Sequence, residues 1–368
     1  TMLELCADRR ICARGAGGRM SPDAAAGNLG VPAPPGNPDE GVPWHFGDPL
    51  REQRALRAGE AAVDLSNFGV VRVTGPDRLG WLHSLTTQHL EALLPGASAL
   101  ALILSPHGHV EYELHIADDD YSSWIICSPG SAEGLVGYLE SMKFMTRVEI
   151  DDVSSDYAVV WEPVHAIDPQ FPTYVMPADY AGTGVVDAGT DKGGGADKYV
   201  ARRPGFLDGR EVIVPRSELA ARLARWPARA GTWAWNALRI AAGIPRFGFE
   251  TDHRTLPHEV GWIGPGVHLA KGCYRGQEAV ARVHNLGHPP RRLVLLHLDG
   301  SVDELPEHGA VVRGAGKDVG WVASAAQHYE EGPIATAVIK RSLSPDLEVE
   351  VDIGEDTVRA TQTPIVLG

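Results

Sequence analysis

The sequence predicts an α+β protein of layered sheets and helices that ends in a small antiparallel barrel. Three observations carry this. Helical and strand-like stretches mix without the strict strand–helix repeat of a doubly wound parallel sheet. Three successive runs, A-L-A-L-I-L-S, V-E-Y-E-L-H-I and S-S-W-I-I-C-S, are separated by short polar turns and read as an antiparallel meander. From about residue 290 onward, short β-rich runs recur with turn residues between them, as a closed or nearly closed barrel requires.

Residues 1 to about 40 are rich in Gly, Pro and Ala and carry no hydrophobic period, so a disordered tail is expected there. Met20 is a candidate natural start, and Cys6 and Cys12 read as incidental thiols. Order is expected from Trp44, with a helix over 49–60 and a strand over 70–74. Gly75-Pro76-Asp77 opens a helix whose apolar face is Leu79, Trp81, Leu82 and Leu85. After the meander, Ser131 is a plausible cap for a helix carrying Leu135, Leu139 and Met142 on one face. R-V-E-I-D-D-V, Y-A-V-V-W-E and E-V-I-V-P read as strands, and S-E-L-A-A-R-L-A-R-W as a short helix. These layers are of the ferredoxin-like kind. The segment 166–197 is loop-rich, and its glycines match no phosphate-binding pattern. The clearest helix is 232–242: Thr232 is a candidate cap, Trp235, Leu238 and Ala242 line one side, and Gly243 and Pro245 end it. Arg239 lies one turn beyond Trp235. It either covers the indole or binds an anion beside an aromatic wall. The expected organisation is a tail (1–40), an α+β region of two interleaved domains (41–289) and a barrel (290–368).

Hydrophobic and charged fractions of 43% and 22% are those of an ordinary globular protein. No run of about 18 apolar residues occurs, so no membrane span is expected. Four cysteines without a C-x-x-C pair give no disulfide framework and make the cytoplasm the expected compartment. A net charge of -15 argues against broad, sequence-independent nucleic-acid binding. No Cys or His spacing suits a metal site, and one ordered thiol motif is too few for a resident iron–sulfur cluster.

The octapeptide K-G-C-Y-R-G-Q-E, Lys271 to Glu278, is the chemically densest stretch. In an extended backbone Lys271, Cys273 and Arg275 would share a face, and the two cations would favour a thiolate. Gly272 and Gly276 would permit a turn or a close approach. A working thiol and a buried structural cysteine are both compatible with the residues alone.

The chain resembles the folate-binding YgfZ family within the glycine-cleavage T-protein (aminomethyltransferase) superfamily. V-D-L-S-N-F-G-V-V-R-V-T-G-P-D-R-L-G-W-L-H-S-L-T-T-Q, L-R-I-A-A-G-I-P-R-F-G with P-H-E-V-G-W, and V-G-W-V-A-S resemble its N-terminal, middle and C-terminal signatures. The discriminating piece is the octapeptide followed by A-V-A-R-V-H-N-L-G, which resembles YgfZ proteins rather than full aminomethyltransferases. The resemblance implies three domains around a central opening that holds tetrahydrofolate. It also implies a role in assembling, repairing or maintaining iron–sulfur clusters, with transient iron–sulfur protein partners and an indirect effect on tRNA modification.

Under this resemblance Cys273 is the functional thiol, with Lys271, Tyr274, Gly276, Gln277 and Glu278 around it. Arg239 and Phe247 match folate-contacting positions, with Trp235 beside them and Arg292 a further candidate for the acidic tail. One departure stands out. The superfamily's G-G-x-x-D-D pattern falls on Gly108 to Glu113, so Tyr112 and Glu113 replace its two aspartates. A phenol supplies no carboxylate at neutral pH, and Glu113 reaches one methylene further than aspartate. A folate-binding accessory protein is therefore the leading expectation, and a tetrahydrofolate-dependent aminomethyl- or methyltransferase or demethylase the alternative.

Overall fold

The computed structural model describes residues 30–177 and 207–366. Cys6, Cys12, Met20 and most of the loop-rich stretch 166–197 lie outside the described residues. Within that stretch the structure adds a short strand, Thr173–Val175.

Two five-stranded sheets, several helices and a barrel make up the fold, and the mixed α+β expectation holds. One sheet runs in the order Thr173–Val175, Arg210–Pro215, Tyr157–Glu162, Ala61–Asp64, Ala228–Ala230, with only the last pair parallel. The other contains the meander: Ser98–Leu104, Val110–Asp118, Ser122–Cys127, Gly69–Thr74 and Glu149–Asp152, antiparallel throughout. Its outer face packs helices Arg78–Leu85 and Ala132–Ser141 through Trp81, Leu82, Leu135 and Leu139. Its inner face meets the first sheet and helix Thr232–Ala241 in the largest core, where Trp161, Leu238 and Trp262 are buried. Truncating such residues costs roughly 2–5 kcal/mol each. The six C-terminal strands close completely, because Arg291–Leu298 pairs with both Gly332–Lys340 and Asp356–Pro364. Closure leaves no free strand edge.

Three local expectations are revised. Residues 30–40, read as the end of a tail, are ordered, and Asp39 is 1% exposed. Composition hid this because the anchor is polar: the Asp39 carboxylate accepts from Arg246 Nη2 at 2.7 Å and Asn236 Nδ2 at 2.7 Å. Helix Thr232–Ala241 is capped by Gly231, not Thr232, and no side chain caps it. A Cβ at Gly231 would lie 2.2 Å from the Trp44 carbonyl oxygen, so no side chain fits there. Finally, a helix that the sequence reading did not assign, Gln277–Leu286, begins inside the octapeptide.

Candidate functional site

Strand Val110–Asp118 builds the centre of the site. Side chains alternate along it, so Tyr112, Leu114 and Ile116 pack toward the helices while Glu113 and His115 face the opposite sheet. The pairing shifts by one residue between Ile103–Tyr112 and Leu104–Val110. This bulge lets Val110 join the inner core although Tyr112 packs outward. Across the gap, Glu211 and Tyr174 come from the other sheet.

The three groups form one network. His115 donates from Nδ1 to Glu211 Oε2 at 2.7 Å and from Nε2 to Glu113 Oε1 at 3.4 Å. Its ring stacks on Tyr174 at 4.2 Å and 13°. Burial alone would disfavour its protonation, but the flanking carboxylates of Glu211 and Glu113 outweigh that and raise its pKa to about 10. A group whose folded pKa is raised stabilises the fold fully below its ordinary pKa of 6.5, and that stabilisation is lost as pH climbs toward about 10. The His115 contribution to the melting temperature is therefore expected to fall across this window, read as the difference between the parent and His115→Gln profiles, since Lys271, with its pKa lowered to about 8, acts in the opposite direction in both. Parent and variant slopes that coincide would remove the imidazolium from the balance.

Glu113, the second of the two carried-over positions, also accepts from the Phe247 backbone N–H at 3.0 Å. Tyr112, the first, stacks on Phe247 at 6.3 Å and 21°. These three residues thus converge as the sequence reading grouped them. His115 and Glu211 were missed. A lone histidine carries little signal, although Glu113 and His115 two residues apart on one strand already share a face.

Around the network lies a partly open cavity of about 40 Å³, lined also by Phe68, Cys127, Trp235, Arg239 and Arg246. Trp235 packs edge-on against Phe68 at 6.2 Å. Arg239 touches this cavity but is fully engaged inside the protein. Its Nη1 donates to Glu250 at 3.0 Å and to the Ile244 carbonyl at 2.7 Å, Nη2 to Ser324 at 3.0 Å, and Nε to Asn236 at 3.3 Å. Burial would raise the Glu250 pKa, but Arg239 and the Thr336 and Ser324 hydroxyls hold it below the usual carboxylate range. The expected anion contact of Arg239 is therefore an internal one. Arg292 is also turned to other partners, donating to the Leu343 carbonyl at 2.8 Å within the barrel domain's side of the chain.

The octapeptide is not one extended strand but turns at Gly276 into a helix, and its two cations are engaged by other groups. Lys271 is 5% exposed and turned inward, with Nζ donating to the carbonyls of His83, Thr86 and Gln88. Burial lowers its pKa to about 8. Arg275 pairs with Glu111 at 2.9 Å and lies over the Tyr138 ring at 5.7 Å. Tyr274 is buried beside Lys271, Gln277 Nε2 donates to the Lys271 carbonyl at 3.4 Å, and Glu278 is exposed. Cys273 is a free, exposed thiol. The backbone reverses at Gly276, which has φ 83°. A Cβ there would lie 2.5 Å from the Ser105 carbonyl oxygen, so only glycine lets the loop seat on the turn before strand Val110–Asp118. That seating, with Arg275 on Glu111, ties the thiol loop to the strand that carries Tyr112 and Glu113.

His83, His89 and Glu91 bring possible ligand atoms within 4.8 Å of one another, a grouping the sequence reading did not find. However, His83 Nδ1 already accepts from the Leu90 N–H at 3.2 Å, and the positive charge of Lys271 acts on the same ring. Both oppose a cation. Among the described residues no helix is long and apolar enough to cross a membrane.

Comparison with known proteins agrees with this architecture. The GCVT N-terminal domain matches residues 42–161, and the glycine cleavage T-protein C-terminal barrel domain matches 291–367, together more than half of the chain. An aminomethyltransferase of Geobacillus kaustophilus is 27% identical over 355 residues, covering 88% of this chain and 91% of that protein. A chloroplastic transferase of Arabidopsis thaliana is 25% identical over 310 residues; the match covers 78% of this chain and 66% of the relative. The crystal structure of the glycine cleavage system aminomethyltransferase T from Bartonella henselae superposes with a TM-score of 0.67 at 20% identity, covering 90% and 91% of the two chains, and so shares the fold.

Proposed function

Given that the chain belongs to the glycine-cleavage T-protein superfamily, we propose that it binds tetrahydrofolate between the two sheets without efficient aminomethyl transfer, and serves iron–sulfur cluster maintenance through Cys273. The observation that carries the first half is the state of Glu113. Both of its oxygens are engaged, one by Phe247 N–H and one by the His115 imidazolium, so no free carboxylate is poised as a base at this position.

The donor set suits a reduced pterin. Its aminopyrimidinone edge presents two adjacent N–H donors, which a carboxylate such as Glu211 accepts side by side. Phe68 and Trp235, which line the cavity, offer flat walls for the ring. The enclosed volume of about 40 Å³ holds only a water or two, so a ring enters by displacing side chains at the cavity's open side. Tetrahydrofolate, when bound, supplies two nitrogens, one in the reduced ring and one in the bridge beside it, that carry one-carbon units. The protein's residues hold its edge, exclude water and keep a proton at His115.

The iron–sulfur half rests on the octapeptide's resemblance and on the exposure of Cys273, which leaves the thiol open to a partner or a small electrophile. The names of the curated relatives favour a second reading, a true aminomethyltransferase. The two part in one assay. With tetrahydrofolate and a methylamine-carrying donor, the full chain is expected to bind folate yet form methylene-tetrahydrofolate at least ~100-fold more slowly than an aminomethyltransferase. Comparable turnover would establish the second reading instead.

A further inference from the structure

Among the described residues, Arg246 is a cavity-lining cation whose hydrogen-bonding capacity is largely unmet. It is 3% exposed, and Nη2 donates to Asp39 at 2.7 Å. Its Nε and Nη1, however, are buried and have no acceptor among the described residues. The guanidinium is caged by rings, 5.0 Å from Phe68, 4.6 Å from Phe249 and 5.7 Å from Trp235. Ring faces hold the charge but do not replace directional acceptors. The indole Nε1 of Trp235, which lines the same cavity, is likewise buried without an acceptor. Buried donors left unmade are costly, and so many in one cavity point to an oxygen supplied from outside the chain.

We propose that Arg246 and Trp235 together form a carbonyl-recognition subsite that selects ligands with a 4-oxo pteridine ring over their 4-amino counterparts. The inference rests on the folate reading and adds a specificity determinant to it. The same cavity is also lined by Glu211, the carboxylate assigned above to the ring's N–H edge. A ligand filling it must therefore offer N–H donors on one edge and an acceptor on the other. A 2-amino-4-oxo pteridine does both. A 2,4-diamino ring turns an amino group toward Arg246 and Trp235, setting N–H against N–H and leaving buried donors unpaired. Sites built to hydrogen-bond one group reject the analogue lacking it far more strongly than apolar pockets discriminate by size. Trp235 was a candidate from the sequence, but Arg246 is there simply the arginine after Pro245.

The test is calorimetric titration of the full chain with two matched pairs: folic acid against aminopterin, and their tetrahydro forms. These partners differ only at C4 and in the N3 hydrogen that accompanies the 4-oxo group, so the double variant below separates Arg246 and Trp235 from the carboxylate that faces N3. The 4-oxo member of the tetrahydro pair is expected to bind roughly tenfold or more tightly. Because Arg246→Met alone strands the buried Asp39 carboxylate, the variant is Asp39→Asn combined with Arg246→Met, its folding checked by melting. It should bind the 4-oxo ligand more weakly and lose the preference. Equal affinities of the two classes for the parent chain would overturn the subsite while leaving folate binding intact. Absence of binding by all four compounds would overturn the folate reading and the subsite with it. The parent comparison needs no variant, so failure of the variant to fold leaves the proposal decided.

Discussion

Arg239→Ala is expected to destabilise the fold by about 3–5 kcal/mol, the cost of stranding one partner of a buried, hydrogen-bonded ion pair. Glu250, its counter-ion, is 0% exposed and receives Arg239, Ser324, Thr336 and the Arg246 backbone N–H. Removing the guanidinium leaves that carboxylate buried with only neutral donors, and its pKa should climb toward neutrality. Glu250→Ala should cost a comparable amount from the other side of the pair. Ser324 and Thr336 belong to barrel strands, whereas Arg239 lies on the helix beside the cavity, so the pair also clamps the barrel to the α+β layers. Equilibrium urea unfolding reads the loss directly. A variant that unfolds like its parent yet loses tetrahydrofolate binding would return Arg239 to direct ligand contact. The sequence offered two readings of this arginine, an indole cover or an anion grip. The structure makes it a grip on an internal anion, and the guanidinium near Trp235 is that of Arg246.

Much of the fold was legible because its signals are local. The period-two runs of the meander and barrel, and the apolar spacing of the helices, each depend on neighbours within one element. The octapeptide was legible as a motif but not as a shape. Its reading assumed extended backbone, whereas Gly276 reverses the chain and starts a helix, and burial sends Lys271 inward to three carbonyls. The site itself was half legible. Tyr112, Glu113 and Phe247 came from matched positions, but Glu211 lies 96 residues from His115 and meets it only because two separate sheets face each other. Asp39 and Arg246 pair across 207 residues, through a stretch whose composition suggested no order at all. Such contacts are set by tertiary packing between distant segments, to which no short window of sequence has access.

Cys273→Ala separates the thiol from the scaffold. The side chain is exposed, and a Cβ at neighbouring Gly272 would meet nothing within 4 Å, so the loop around the thiol has room and little packing to lose. Stability should change by less than about 0.5 kcal/mol, as for most exposed positions. Tetrahydrofolate affinity should also persist, since Cys273 is not among the residues lining the cavity. Function is where the effect should be large. The most direct measurement is the activity of an iron–sulfur enzyme in a strain lacking this protein, complemented with the parent chain or with Cys273→Ala at equal abundance. A working thiol at Cys273 requires that the parent restore the activity and the variant leave it at the level of the deletion. Full restoration by Cys273→Ala would contradict it.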